Sequence, residues 1–257
     1  RIEYLEKLID FAPEGLDKAF LLSAGTEATE ACLKLMRMNG QKFGKRSSGI
    51  LCIEGNWHGR TMGAQAMSSN QSQKAWMGFE EPLIRHIPFP YPWALNGRSG
   101  AEFFEMGLRR LIDSGFDPAQ DLAGVMLETF QGWGAVFYPK DFVQAIREFC
   151  TKNNILLCFD EMQAGFARTG KKFGFEHYDV TPDLFACGKG MGSGLPLSGV
   201  IGRAEVMDLP EVGNMSSTHS ANPLVCAAGL ATLEVIESEG LVAQSERKGK
   251  LLHSELV

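Results

Sequence analysis

The sequence has no long apolar run, no closely paired cysteines, no excess of basic charge and no Pro/Gly/Ser-rich linker, and each absence removes a class of protein. No apolar stretch approaches the roughly 20 residues of a membrane-spanning helix, and the amphipathic opening RIEYLEKLID has neither a start methionine nor an apolar signal core. Targeting is therefore not visible, and Arg1 reads as a cut end. Lys and Arg number 25 against 31 Asp and Glu, a net charge of −6, and no basic stripe alternates with aromatics. Nucleic acids and anionic membrane surfaces are thus not expected partners. The six cysteines (Cys32, Cys52, Cys150, Cys158, Cys187, Cys226) are scattered without a C-x-x-C pair, and several sit in apolar runs. That pattern predicts free thiols, a cytoplasmic setting and no metal centre. With no linker, repeat or low-complexity tract, residues 1–257 read as one domain.

What is present is enough apolar mass for one large core, 44% of 257 residues. Short apolar runs recur at 19–23, 49–54, 83–87, 122–128, 154–160, 183–188 and 197–202, with helical patterns between several of them. This rhythm predicts an α/β fold, a mostly parallel sheet of about seven strands with helices on both faces. Two of the helices are TEATEACLKLMRM (26–38), with Ala28, Ala31, Cys32, Leu35 and Met36 on one face, and DFVQAIREFCTKN (141–153). The proline- and aromatic-rich HIPFPYPWALNG (86–97) reads as a long loop.

The chemistry points to Lys189, set among glycines in PDLFACGKGMGSGLPLSG (182–199). Few charges lie near it and apolar runs flank it, so burial is expected to favour the neutral amine that attacks a carbonyl. Pyridoxal phosphate supplies such a carbonyl and also needs an acid at its pyridinium nitrogen, which Asp160 at the end of NILLCFD can provide. A lone lysine in a glycine turn more often sits in water, and four further segments turn the balance. In LLSAGTEATEACLKLMR the amides of Gly25 and Thr26 open a helix and form an anion site suited to a phosphate. In GNWHGRTMGAQAM, Trp57 offers a stacking platform and Arg60 a fork for a carboxylate, whereas His58 alone reads as a structural histidine and Arg60 equally as half of a surface ion pair. Glu128 closes LAGVMLE at a strand's carboxyl end, to orient Arg60 or touch a substrate. Thr218, in the Ser/Thr-rich loop before a helix that starts near Pro223, offers an anion its hydroxyl and amide.

Together these segments resemble the class III aminotransferases, a family of fold-type-I pyridoxal-phosphate enzymes. The resemblance runs from about Ala19 to about Glu237, and FDEMQAGFARTG (159–170), GKGMGSGLPLSG (188–199) and THSANPL (218–224) carry most of it. It implies that Lys189 is the Schiff-base lysine and that Asp160 pairs with the pyridine nitrogen. Gln163 falls at the position that binds the phenolic oxygen, while Met162 and Trp57 fall on the two ring faces, with His58 and Glu128 beside them. Gly25 and Thr26 match the phosphate turn, and Thr218 the position that reaches the phosphate of a neighbouring subunit, which implies a homodimer with shared sites. Arg60 matches a substrate-carboxylate position.

Trp133 stands where many relatives carry a glutamate that partners a distant arginine, so Trp133 enters the substrate-binding set and pyruvate becomes an alternative acceptor to 2-oxoglutarate. Ala167 replaces a common glycine. The resemblance implies about 400 residues, so the chain reads as a piece without its N-terminal segment and C-terminal small domain. The activity implied is transamination, an amine or amino acid giving its amino group to a 2-oxo acid in two half-reactions. Racemases, epimerases and aminomutases of the same family are the competing reading, and an inactive cofactor-binding fragment is a third.

Overall fold

The computed structural model describes residues 1–256, and its order of elements follows the apolar runs of the sequence. Nine strands form among the described residues: β1 Lys18–Leu22, β2 Gly49–Ile53, β3 Ile84–Ile87, β4 Leu122–Glu128, β5 Phe130–Gln131, β6 Val136–Phe137, β7 Leu156–Asp160, β8 Leu184–Cys187 and β9 Ser198–Gly202. Seven of them build one sheet in the order β1-β9-β8-β7-β4-β2-β3, with β9 antiparallel to both neighbours and every other adjacent pair parallel. The short β5 and β6 pair as a separate hairpin that the sequence pattern did not indicate.

Period-two alternation along the strands divides the core between the sheet's two faces. On one face Ile50, Cys52, Met126, Cys158, Leu184 and Val200 pack against helix Gly25–Lys42 through Ala28, Cys32, Leu35 and Met36. On the other, Leu51, Ile53, Val125, Leu127, Leu157, Phe159 and Phe185 meet helices Ile2–Phe11, Gly100–Asp113, Lys140–Lys152 and Pro223–Ser238. The second face holds most of the aromatic mass, where Phe173 packs on Phe175 and Phe185 within 6 Å. Each such ring fully removed from water contributes on the order of 1.5–3 kcal/mol.

Helix Gly25–Lys42 starts where it does because the Glu27 carboxylate turns back to accept the Ser23 and Ala24 amides at 2.8 and 3.0 Å. The expected long loop at 86–97 is broken up: its first two residues finish β3, and Pro92–Leu95 make one helical turn with Pro92 at its first position. Tyr91 and Trp93 stack there at 4.6 Å. No helix among the described residues is long and apolar enough to cross a membrane.

Candidate active site

Parallel strands deliver their carboxyl ends to one rim of the sheet, and the residues that follow β2, β4, β7 and β8 meet there around a cavity of about 200 Å³. Glu128 ends β4, Asp160 ends β7, and the two are register partners. Lys189 lies two residues beyond β8, Met162 and Gln163 just beyond β7, and Trp57 and His58 in the turn after β2. Gly25 and Thr26 close the cavity from the start of helix Gly25–Lys42. Their two amides donate to nothing among the described residues, so this end of an 18-residue helix keeps open donors and the positive end of its dipole.

Asp160 is only 4% exposed, and both of its oxygens are engaged. Oδ2 lies 2.9 Å from His58 Nδ1, and Oδ1 accepts the Met162 amide at 3.0 Å. His58 is fixed in turn, since its amide donates to Ser68 Oγ at 2.8 Å and its carbonyl accepts the Thr29 hydroxyl at 2.8 Å. Its Nε2 is buried without a partner. Gly59 follows with φ +139°, and a Cβ there would run into Thr26, so the HGR turn and the helix start touch backbone to side chain.

Glu128 accepts the Trp57 amide at 3.0 Å and the Gly132 amide at 3.4 Å through Oε2. It therefore holds the Trp57 turn and the β5–β6 hairpin and is not seen to orient Arg60, the first of the two roles its place suggested; the second, contact with a substrate, stays open to it at the cavity. Burial first, then the neighbouring Asp160 carboxylate, pushes the Glu128 carboxyl up to about 7. Arg60 is exposed and stacks its guanidinium 4.7 Å from the centre of the Trp57 ring. Trp133, at the tip of the β5–β6 hairpin and 68% exposed, meets Trp57 edge-on at 6.2 Å. Arg60 and Trp133 thus sit at the rim, tied to the cavity through one indole.

One expectation is corrected. Lys189 is exposed, not buried, with φ +41° in the left-handed region between Gly188 and Gly190. Thr218 lies outside the cavity, exposed and without a hydrogen bond among the described residues, although Ser220 in the same loop reaches Ser23 Oγ at 3.0 Å. Sequence reasoning also passed over Asn56, whose buried Oδ1 accepts from the Glu128 amide at 3.1 Å and from Tyr138 Oη at 2.9 Å. Its place directly before Trp57 was the available signal. A larger hollow of about 500 Å³ at the β3 edge, lined in part by Lys74, Arg85 and His86, holds none of the residues singled out.

The model of the family "Aminotransferase class-III" matches residues 1–257. The chain is 40% identical to the probable 4-aminobutyrate aminotransferase of Bacillus subtilis (strain 168) over 98% of its own length and 58% of that protein's. It superposes with TM-score 0.89 and 29% identity on a thermostable (S)-enantioselective omega-transaminase from Thermomicrobium roseum, covering 99% of this chain and 59% of that one. A taurine:2-oxoglutarate aminotransferase from Bifidobacterium kashiwanohense, solved in complex with PLP and glutamate, gives TM-score 0.87 at 25% identity, with 98% and 58% covered. The chain spans about three fifths of the length of the curated relatives it matches. On the whole-length family match and these likenesses, the chain belongs to the class III aminotransferases, which are pyridoxal-phosphate-dependent.

Proposed function

We propose that residues 1–257 are the cofactor-binding large domain of a transaminase that moves an amino group from an amine or amino acid, of the omega-amino type, to a 2-oxo acid by a ping-pong mechanism. The observation that carries the reading is the meeting of Lys189, Asp160, Met162 and Gln163 with the open amides of Gly25 and Thr26 around one cavity. The likeness to proteins named for 4-aminobutyrate and omega-amine transfer supports the donor class.

The residues fit pyridoxal phosphate on their own chemistry. The Gly25 and Thr26 amides at a helix start suit a dianionic phosphate. The buried Asp160, with His58 behind it, suits a protonated ring nitrogen, and His58 steadies that carboxylate rather than binding the ring directly. Met162 and Trp57 supply the two flat contacts, and Gln163 a donor for the phenolic oxygen. When bound, the cofactor supplies an electron sink that stabilises negative charge at the carbon bearing the amino group. Lys189 Nζ would be the covalent anchor for its carbonyl, and the same amine, when free, would be the base placed to move a proton at the donor's amine-bearing carbon. The exposure of Lys189 in this chain leaves its amine open to approach.

Arg60 binds the carboxylate of an acidic substrate by two parallel hydrogen bonds, leaving its stacked position on Trp57 to do so. Trp133 sets an uncharged, apolar wall beside it, which favours pyruvate-like acceptors over dicarboxylates. Thr218, exposed and away from this cavity, serves the phosphate of a second subunit, so the working unit is a homodimer. Six free cysteines, all buried, accord with a cytoplasmic enzyme. The test is turnover of Lys189→Ala with a panel of amines and amino acids. Amino transfer should fall below detection while phosphate-anchored cofactor binding partly survives, and undiminished turnover contradicts the assignment.

A further inference from the structure

Glu161 follows Asp160 directly, is fully buried and does not line the cavity. Its Oε1 accepts from the Thr129 hydroxyl and from the Phe175 amide at 3.0 Å, and its Oε2 from the Gly174 amide at 2.8 Å. Its own amide donates to the Ala186 carbonyl of β8 at 2.8 Å. Thr129 in turn follows Glu128, the register partner of Asp160, and its carbonyl accepts from Tyr178 Oη at 2.6 Å.

These contacts sit one residue past the point where the β4–β7 ladder stops. Beyond it, no backbone pairing between the two strands holds their ends at a fixed distance. The Thr129–Glu161 bond takes over that task, and the Gly174 and Phe175 amides keep the carboxylate from turning. A buried carboxylate that loses donors is costly, so the three bonds form together or the strand ends move. Burial pushes this carboxyl up to about 7 against the pull of its three donors.

We propose that Glu161 is a positioning residue for the cofactor site: through Thr129 and the Gly174–Phe175 turn it clamps the two chains just beyond the last paired residues, Glu128 and Asp160, and so steadies the carboxylate placed to hold the ring nitrogen of pyridoxal phosphate. The inference rests on the role given to Asp160 above. It assigns Glu161 no contact with substrate or cofactor.

The test uses the full-length protein with pyridoxal phosphate itself as the probe, read as its dissociation constant and as the pH midpoint of the visible band of the bound cofactor. Glu161→Gln keeps the volume but turns an NH2 toward one of the three donors. It should weaken binding on the order of tenfold and shift the midpoint. Thr129→Val, which removes one donor and leaves the carboxylate, should move both readouts in the same direction by less, and Thr129→Ser should restore them. If Glu161→Gln does not fold, the Thr129 pair decides. Folded variants that melt earlier yet keep the wild-type affinity and midpoint overturn the positioning role alone. A wild-type protein that forms no visible band overturns the transaminase reading and the positioning role together.

Discussion

Burial raises the carboxyls of Glu128 and Glu161 above the ordinary carboxyl value, and Glu128 lines the cavity. The folded state keeps the Glu128 proton up to about 7 while the ordinary carboxyl, at 4.5, releases it. Between those values the folded chain binds more protons than the unfolded one, so the contribution of Glu128 is complete below about pH 4.5 and is lost as pH rises through 7. The term is on the order of 1–3 kcal/mol. His86, pushed down to about 4 by burial first and by Lys74 second, acts in the opposite sense and loses its contribution as pH falls below its ordinary 6.5. Denaturant midpoints measured from pH 5 to 8 should therefore decline less steeply in Glu128→Gln than in the parent. A variant curve parallel to the parent's removes Glu128 as the titrating group. None of these values follows from sequence, because each depends on burial and on a neighbour far along the chain, as with Glu128 and Asp160.

At the scale of elements, helix Gly25–Lys42 both closes one face of the core and carries the open amides of the cavity, so its seat on the sheet matters twice. Gly40 permits that seat: a Cβ there would collide with Ala123 on β4 and stand 2.9 Å from Ser48 Oγ. Alanine gains about 1 kcal/mol in helix propensity, but Ala123 offers only Cβ and backbone, neither of which can rotate aside, and overpacking costs about 1–3 kcal/mol. Gly40→Ala should lower the melting temperature by a few degrees, with Ala123→Gly recovering part of the loss. A Gly40→Ala variant that melts at or above the parent would show the helix free to lift off β4. The strands themselves were legible because runs such as NILLCFD are buried on both faces and need no partner to be recognised. The β5–β6 hairpin was not, since two residues a side leave no period to read, and yet it brings Trp133 to Trp57.

For the whole molecule, glycine-rich and HGR motifs gave the residues of the cavity, and the parallel sheet explains why segments so distant in sequence converge at one rim. The pairings inside that rim were hidden. His58, placed at the cofactor site with no partner named, lies against Asp160, and Glu128, read as orienting Arg60 or touching a substrate, holds the Trp57 amide. Ala167 marks a similar limit: it stands at φ +69°, where a glycine would be unstrained, and the chain accepts a cost of roughly 1 kcal/mol there. Lys189, Asp160 and the Gly25–Thr26 amides, proposed above as one pyridoxal-phosphate site that passes an amino group, can be tested together. The most direct test is the visible absorption of the protein with added pyridoxal phosphate, followed through addition of an omega-amino donor and then of pyruvate or 2-oxoglutarate. A band of the lysine-bound cofactor should form, bleach with the donor, return with the 2-oxo acid and be missing in Lys189→Ala. A band that never bleaches, or one that survives loss of Lys189, contradicts the proposal.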